Sequence, residues 1–175
     1  MSFKKIRQSI WVGEIVVFEG VKNGLSKIRK RIVEKPKVAF FIDGPNMIRK
    51  EFNLDLKDLR KRVEKYGRII IGKVFLNQFA SEKLIEAVAN EGFESVIALG
   101  DPEQKTDVDV AIAVHAMDAI YNPEIDIIAL SSRDADFLPL IQKAKEKGKI
   151  TILITVEPGL AISLRHASDH VELLK

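Results

Sequence analysis

Five consecutive apolar residues, Val38-Ala39-Phe40-Phe41-Ile42, run without a polar interruption into Asp43-Gly44-Pro45-Asn46. A strand apolar at every position, and not at alternate ones, has to be buried on both faces, as in a parallel sheet covered by helices. The four residues that end it are all favoured turn formers, and a turn is their simplest reading. In an open α/β sheet, however, ligands sit beyond the carboxyl ends of the strands, near the reversal of strand order. Asp43 is expected at such an end.

The rest of the body repeats the theme. Strands are expected over 37–42, 69–75, 93–99, 125–130 and 149–155, with a short closing strand over 170–173. Helices are expected over 54–66, from Ser81 to Gly92, from a Thr106 cap to about 120, over 135–147 and over 160–167. Leu56, Leu59 and Val63 recur at helical spacing and mark the buried side of the first of these helices. Gly67, Gly92 and Gly148 stand where helices should stop. Strands alternating with helices of this length imply right-handed βαβ units. The expected fold is α/β, a three-layer α/β/α sandwich on a mainly parallel sheet.

Residues 1–36 read differently from residues 37–175. Residues 1–37 carry ten Lys/Arg against three Glu, whereas the remainder is net acidic, eighteen against twenty-two. Ile10, Val17, Val21, Leu25, Ile28 and Ile32 recur at threes, fours and sevens, so the segment is read as a basic, helical N-terminal extension. It would pack on the body or on a second copy, making it a candidate homodimerisation element. The competing reading is a strand over 10–18 followed by a helix. The apolar stretch 10–18 is too short to span a bilayer, and no membrane partner is expected. A basic arm on an acidic body suits a polyanionic partner. With no cysteine, disulfides and thiolate metal sites are excluded, and with no cleavable signal pattern the expected location is cytoplasmic. Three scattered histidines do not make a zinc site, so any metal would be a hard cation held by carboxylates.

The acids supply such a set. Ser131-Ser132-Arg133-Asp134-Ala135-Asp136-Phe137 follows the fourth strand, and Asp107 and Asp109 open the helix after the third. Acids in a helix's first turn are favoured by its positive end, and each one alone is adequately explained as a cap. In a parallel sheet, though, Asp43, Asp107, Asp109, Asp134 and Asp136 all map to one edge. Several carboxylates crowded together ionise poorly unless a divalent cation neutralises them, and Mg²⁺ or Mn²⁺ is the natural occupant. Asn46 could bond a carboxylate, a water or a phosphate. No nucleophile pair, P-loop or dinucleotide fingerprint is present. The chemistry indicated is metal-assisted hydrolysis.

Phe-Ile-Asp43-Gly-Pro-Asn46, Val-Asp109-Val-Ala-Ile-Ala-Val and Ser-Arg-Asp134-Ala-Asp136-Phe-Leu-Pro-Leu-Ile, in that order and spacing, resemble the NYN domains. These belong to the PIN-like ribonuclease superfamily, in the branch that includes LabA-like proteins. The similarity covers roughly residues 37–175, and 167–171 resembles the family's closing segment. The resemblance implies a PIN-like fold, a metal-dependent endonuclease and RNA as substrate. It carries over Asp43, Asp109, Asp134 and Asp136 as the acidic constellation, with Asn46 beside Asp43. Two positions depart from the pattern: Arg133 replaces the usual glycine, and His115 stands where many relatives have an acid.

The leading expectation is therefore a Mg²⁺- or Mn²⁺-dependent ribonuclease. Asp43 and Asp134 would be its principal ligands, with Asp109 and Asp136 as ligands or water-positioning groups. Asp107 could replace Asp109 as a ligand. Asn46, Lys105, Arg133, Arg49 and Ser132 are the candidate substrate contacts, and the basic face around Arg60 and Lys61 could extend them. The alternative is a non-catalytic RNA- or protein-binding module on the same fold.

Overall fold

The structure, a computed structural model, describes residues 34–49, 52, 54–99, 108–157 and 159–174. Pro36–Lys175 forms one compact unit by its contacts. Residues 1–33 of the N-terminal extension, Lys105, Thr106 and Asp107 lie outside the described residues.

In chain order the elements are β1 (Lys37–Asp43), α1 (Gly44–Met47), α2 (Leu56–Glu64), β2 (Arg68–Asn77), α3 (Glu82–Asn90) and β3 (Glu94–Ala98), followed by α4 (Asp109–Tyr121), β4 (Ile127–Ser131), α5 (Leu138–Glu146), β5 (Ile150–Val156), α6 (Ile162–Ala167) and β6 (His170–Leu174). The six strands form one sheet in the order β3-β2-β1-β4-β5-β6. All five pairings are parallel. β1 and β4 are neighbours, with Val38 opposite Ile127 and Ile42 opposite Ser131, so strand order reverses between them.

The uninterrupted apolar run of β1 has the burial its composition requires. Val38, Phe40 and Ile42 pack on one side with Leu56, Leu59 and Val63 of α2 and Val88 of α3. Ala39 and Phe41 face the other layer, where Ile112 and Ala116 of α4, Ile141 of α5 and Leu164 of α6 meet them. Every residue from Val38 to Asp43 is fully buried. Each large apolar side chain so placed contributes about 1.5–3 kcal/mol.

Two details differ from the sequence expectation. Asp43-Gly44-Pro45-Asn46 is not an open turn: Asp43 caps the short helix α1, with Pro45 in its first turn. Gly44 is required there, because a Cβ would stand 2.4 Å from the Phe75 carbonyl oxygen of β2. α4 is described from Asp109, and Val108 before it makes no side-chain cap; the expected Thr106 cap lies outside the described residues. The helix expected over 135–147 is divided into a 3-10 turn, Ala135–Phe137, and α5, because Asp134 caps the tight turn and Pro139 opens the helix proper.

A carboxylate cluster at the strand-order reversal

β1 delivers Asp43 and β4 delivers Ser132 to the same point, because the two strands are paired in register up to Ile42 and Ser131. Asp43 is wholly buried. Its Oδ1 accepts from the Asn46 backbone N–H (3.1 Å), and its Oδ2 accepts from Asn46 Nδ2 and Ser132 Oγ (both 2.8 Å). Burial pushes the Asp43 carboxyl up from its ordinary range, and its three hydrogen bonds to Asn46 and Ser132 pull the other way. The negative charge of Asp134 adds to the upward push. Ser132 Oγ in turn accepts from the Asp134 backbone N–H at 3.2 Å. Asp134 Oδ1 accepts from the Asp136 backbone N–H at 3.0 Å. A continuous chain of bonds thus runs from the end of β1 to the turn that precedes α5.

Beyond that chain, Asp109, Asp134 and Asp136 each present an oxygen within 4.8 Å of the other two. Asp109 comes from the first turn of α4, and Asp134 and Asp136 from the loop after β4. Asp43 is not one of this group. Of the two acids expected as principal ligands, Asp134 lies in the three-oxygen set, whereas Asp43 lies outside it, with Oδ2 accepting from Asn46 and Ser132 and Oδ1 from one backbone N–H. The set suits a hard divalent cation: every donor is a carboxylate, two of the three residues are half-buried and one is exposed. Adjacent oxygens around an octahedral Mg²⁺ ion lie about 3 Å apart and opposite ones about 4.2 Å, so the three carboxylates, all within 4.8 Å, would draw together to share one ion.

The expected substrate contacts are distributed unevenly. Ser132 is fully buried, with its hydroxyl committed to Asp43 and to the Asp134 backbone, so it joins the acids and does not face a ligand. Arg49 donates from Nε to the Pro45 carbonyl at 2.9 Å. Asn46 and Arg133 do come together, with Asp134, Ala135, Gly159 and Ala161, around a recess of about 320 Å³. The Arg133 guanidinium lies over the Phe52 ring, 4.7 Å from its centre. Arg60 is tied to Glu64, to the Glu91 carbonyl and to the face of Phe93. His115 stacks on Phe75 at 5.4 Å, and among the described residues no metal-ligand group includes it.

Sequence reasoning missed the β5–α6 contribution to the recess. Gly159 has φ +78°, and a Cβ there would lie 2.9 Å from Arg133 Nη1. Pro158-Gly159 directly beyond an apolar strand was the available signal, since that loop must share the edge with the acids. No helix among the described residues is long and apolar enough to cross a membrane.

Comparison with known proteins agrees with this construction. An uncharacterized protein of Methanocaldococcus jannaschii is 51% identical over 164 residues, which cover 91% of this chain and 65% of that protein. The chain therefore spans less than two-thirds of the length of that relative. The crystal structure of a Vibrio parahaemolyticus protein of unknown function superposes with a TM-score of 0.71 at 20% identity, covering 81% of this chain and 94% of the other. That likeness shows a shared α/β fold. The model of the NYN domain matches residues 37–174, nearly the whole of the six-stranded body, and the chain belongs to the NYN domain family, whose fold is PIN-like.

Proposed function

We propose that this chain is a divalent-metal-dependent ribonuclease that hydrolyses phosphodiester bonds at the reversal of strand order. The observation that carries the proposal is the approach of Asp109, Asp134 and Asp136 oxygens to within 4.8 Å of one another. These three residues would hold Mg²⁺ or Mn²⁺. Bound there, such an ion supplies an acidified water and neutralisation of charge for phosphodiester hydrolysis. The chain's own residues do the positioning. Asp43 fixes Ser132 and Asn46, and Ser132 fixes the backbone that carries Asp134. Asn46 and Arg133, which line the polar recess beside Asp134, would bind and orient a phosphate of the strand. RNA is the substrate that membership of the NYN family favours.

Cleavage of an RNA oligonucleotide in Mn²⁺ tests the reading. Asp134→Asn should abolish cutting, and Asp43→Asn, acting through Ser132 and Asn46, should lower it about 10–100-fold. Undiminished cleavage by Asp134→Asn would refute the mechanism. A second reading is favoured by one observation: Asp43 and Asp134 both serve as caps, each accepting a backbone N–H, and need no metal for that role. On that reading the protein binds RNA without cutting it, with salt-sensitive affinity and no response to metal.

A further inference from the structure

The acid cluster has recesses of opposite character on its two sides. On the Asp134 side is the polar recess with Arg133 and Asn46. On the other side a groove of about 420 Å³ runs between α4 and α5, with Asp109 and Asp136 at its lip. Its walls are Val110, Ala113, Met117, Phe137, Pro139 and Leu140, and Lys143 stands farther down α5. From Asp109 to Met117 it is about 12 Å long, at 1.5 Å per helical residue.

The floor of this groove belongs to the core, where Phe137 and Leu140 are buried and Ala113 and Met117 pack against it, but its rim does not. α4 buries Ile112, Ala116, Ala119 and Ile120 against the sheet, yet Val110 and Val114 on its outer side are 71% and 58% exposed. A helix that needed only to pack would carry polar residues there. The volume is that of a small-ligand pocket, about 300–1,000 Å³ by the usual range. Asp109 and Asp136 belong both to the metal-ligand set and to the groove's lip. A molecule whose phosphate reached the cluster would therefore bring its adjoining group to the mouth of an apolar slot. A nucleotide has that division: an anionic phosphate joined through a sugar to a flat ring whose faces are apolar.

We infer that the α4–α5 groove is a nucleobase subsite, taking a base adjacent to the phosphate held at the Asp109–Asp134–Asp136 cluster. The inference rests on the nuclease reading above and adds to it the residues that grip the strand. The base inserts between Val110 and Ala113 of α4 and Phe137 and Pro139 ahead of and on α5. The polar recess receives a neighbouring phosphate beside Arg133, so the strand crosses the cluster from the polar side to the apolar one. A base must leave a duplex stack to enter such a slot.

The test uses the full chain, Mn²⁺ and a uridine oligonucleotide, intact or with single abasic positions. Burying a base is worth about tenfold in affinity or more, so in the wild type one abasic position should raise KM about tenfold. Ala113→Phe, which fills the groove, should raise KM for the intact strand by about the same factor, with a larger effect on KM than on kcat, and should lose sensitivity to the abasic position. Val114→Ala, exposed on α4 but not a wall of the groove, should behave as wild type. Val110→Lys, at an exposed wall, provides the same readout should Ala113→Phe fail to fold. If the wild type cuts but the groove variants and the abasic strands leave KM unchanged, the subsite is refuted and the nuclease reading stands. If nothing cuts, the nuclease reading fails. The same strands then decide the subsite by equilibrium binding: a preference for the intact strand that Ala113→Phe removes supports it, and equal binding refutes it. A wild-type dimer that Ala113→Phe dissolves in sedimentation would also overturn the inference, because the groove would then be an interface between copies.

Discussion

Replacing Ser132 by alanine removes one hydroxyl from a fully buried position, and the structure sets how much that should cost. The Ser132 hydroxyl donates to the buried Asp43 carboxyl at 2.8 Å and accepts from the Asp134 N–H at 3.2 Å. A hydrogen bond to a charged group is worth about 1.5–3 kcal/mol, and an ordinary one about 1 kcal/mol. Ser132→Ala should therefore lose about 2–4 kcal/mol in denaturant unfolding, or roughly 5–15 °C in melting temperature for a unit of this size. The loss has a pH signature. Burial already raises the folded Asp43 carboxyl, and removing a donor that favours its charged form raises it further. An acid whose folded pKa exceeds its unfolded one costs stability above the folded value and ceases to do so once both states are protonated. The gap between wild type and Ser132→Ala should thus be widest at neutral pH and narrow as pH falls through the raised Asp43 value. In a double-mutant cycle with Asp43→Asn, the coupling should be at least about 0.5 kcal/mol. A loss below about 0.5 kcal/mol, or a pH-independent one, would refute the account of Ser132 as the link between the two acids.

Other consequences are equally direct. Mn²⁺ at about 100 times its dissociation constant should stabilise the protein by about 2.7 kcal/mol. Asp136→Ala should remove that response in a thermal melt while leaving the metal-free protein at least as stable, since it relieves repulsion among three neighbouring acids. Tyr66 donates to Glu172 Oε1 at 2.8 Å, and burial first, then Glu172, pushes its phenol up to about 12. With the unfolded phenol titrating near 10, this bond's stability is present below that value and lost as pH rises to about 12. Tyr66→Phe should cost about 1 kcal/mol at neutral pH and flatten that alkaline decline, and phenolate absorbance should then report Tyr121 alone. Gly44→Ala should cost about 1–3 kcal/mol by forcing α1 away from the Phe75 carbonyl, and circular dichroism melts would show it. A neutral result would mean that β2 yields at that contact.

The pattern of residues along the chain is enough to dictate the layered parallel fold and the edge on which the acids lie. An apolar run such as 38–42 cannot be half-exposed, and strands alternating with helices can return to the same sheet in only one direction and hand. Once that is so, Asp43, Asp109, Asp134 and Asp136 must share the carboxyl edge. Local preference could not say which acids would meet. Asp43 and Asp134 are equivalent as strand-end acids in the sequence, yet Asp43 is buried under Asn46 and Ser132 while Asp134 joins Asp109 and Asp136. That distinction follows from the β1–β4 pairing, which sets Ser132 against Asp43, a contact between residues 89 positions apart. The same long-range placement brought Gly159 to Arg133 and left an apolar groove beside α4 that periodicity would have assigned to the core. Secondary structure and edge follow from short-range sterics and burial, which any stretch of chain carries in its own residues. Which side chains touch across the reversal of strand order depends on the packing of elements distant in sequence, which no local pattern encodes.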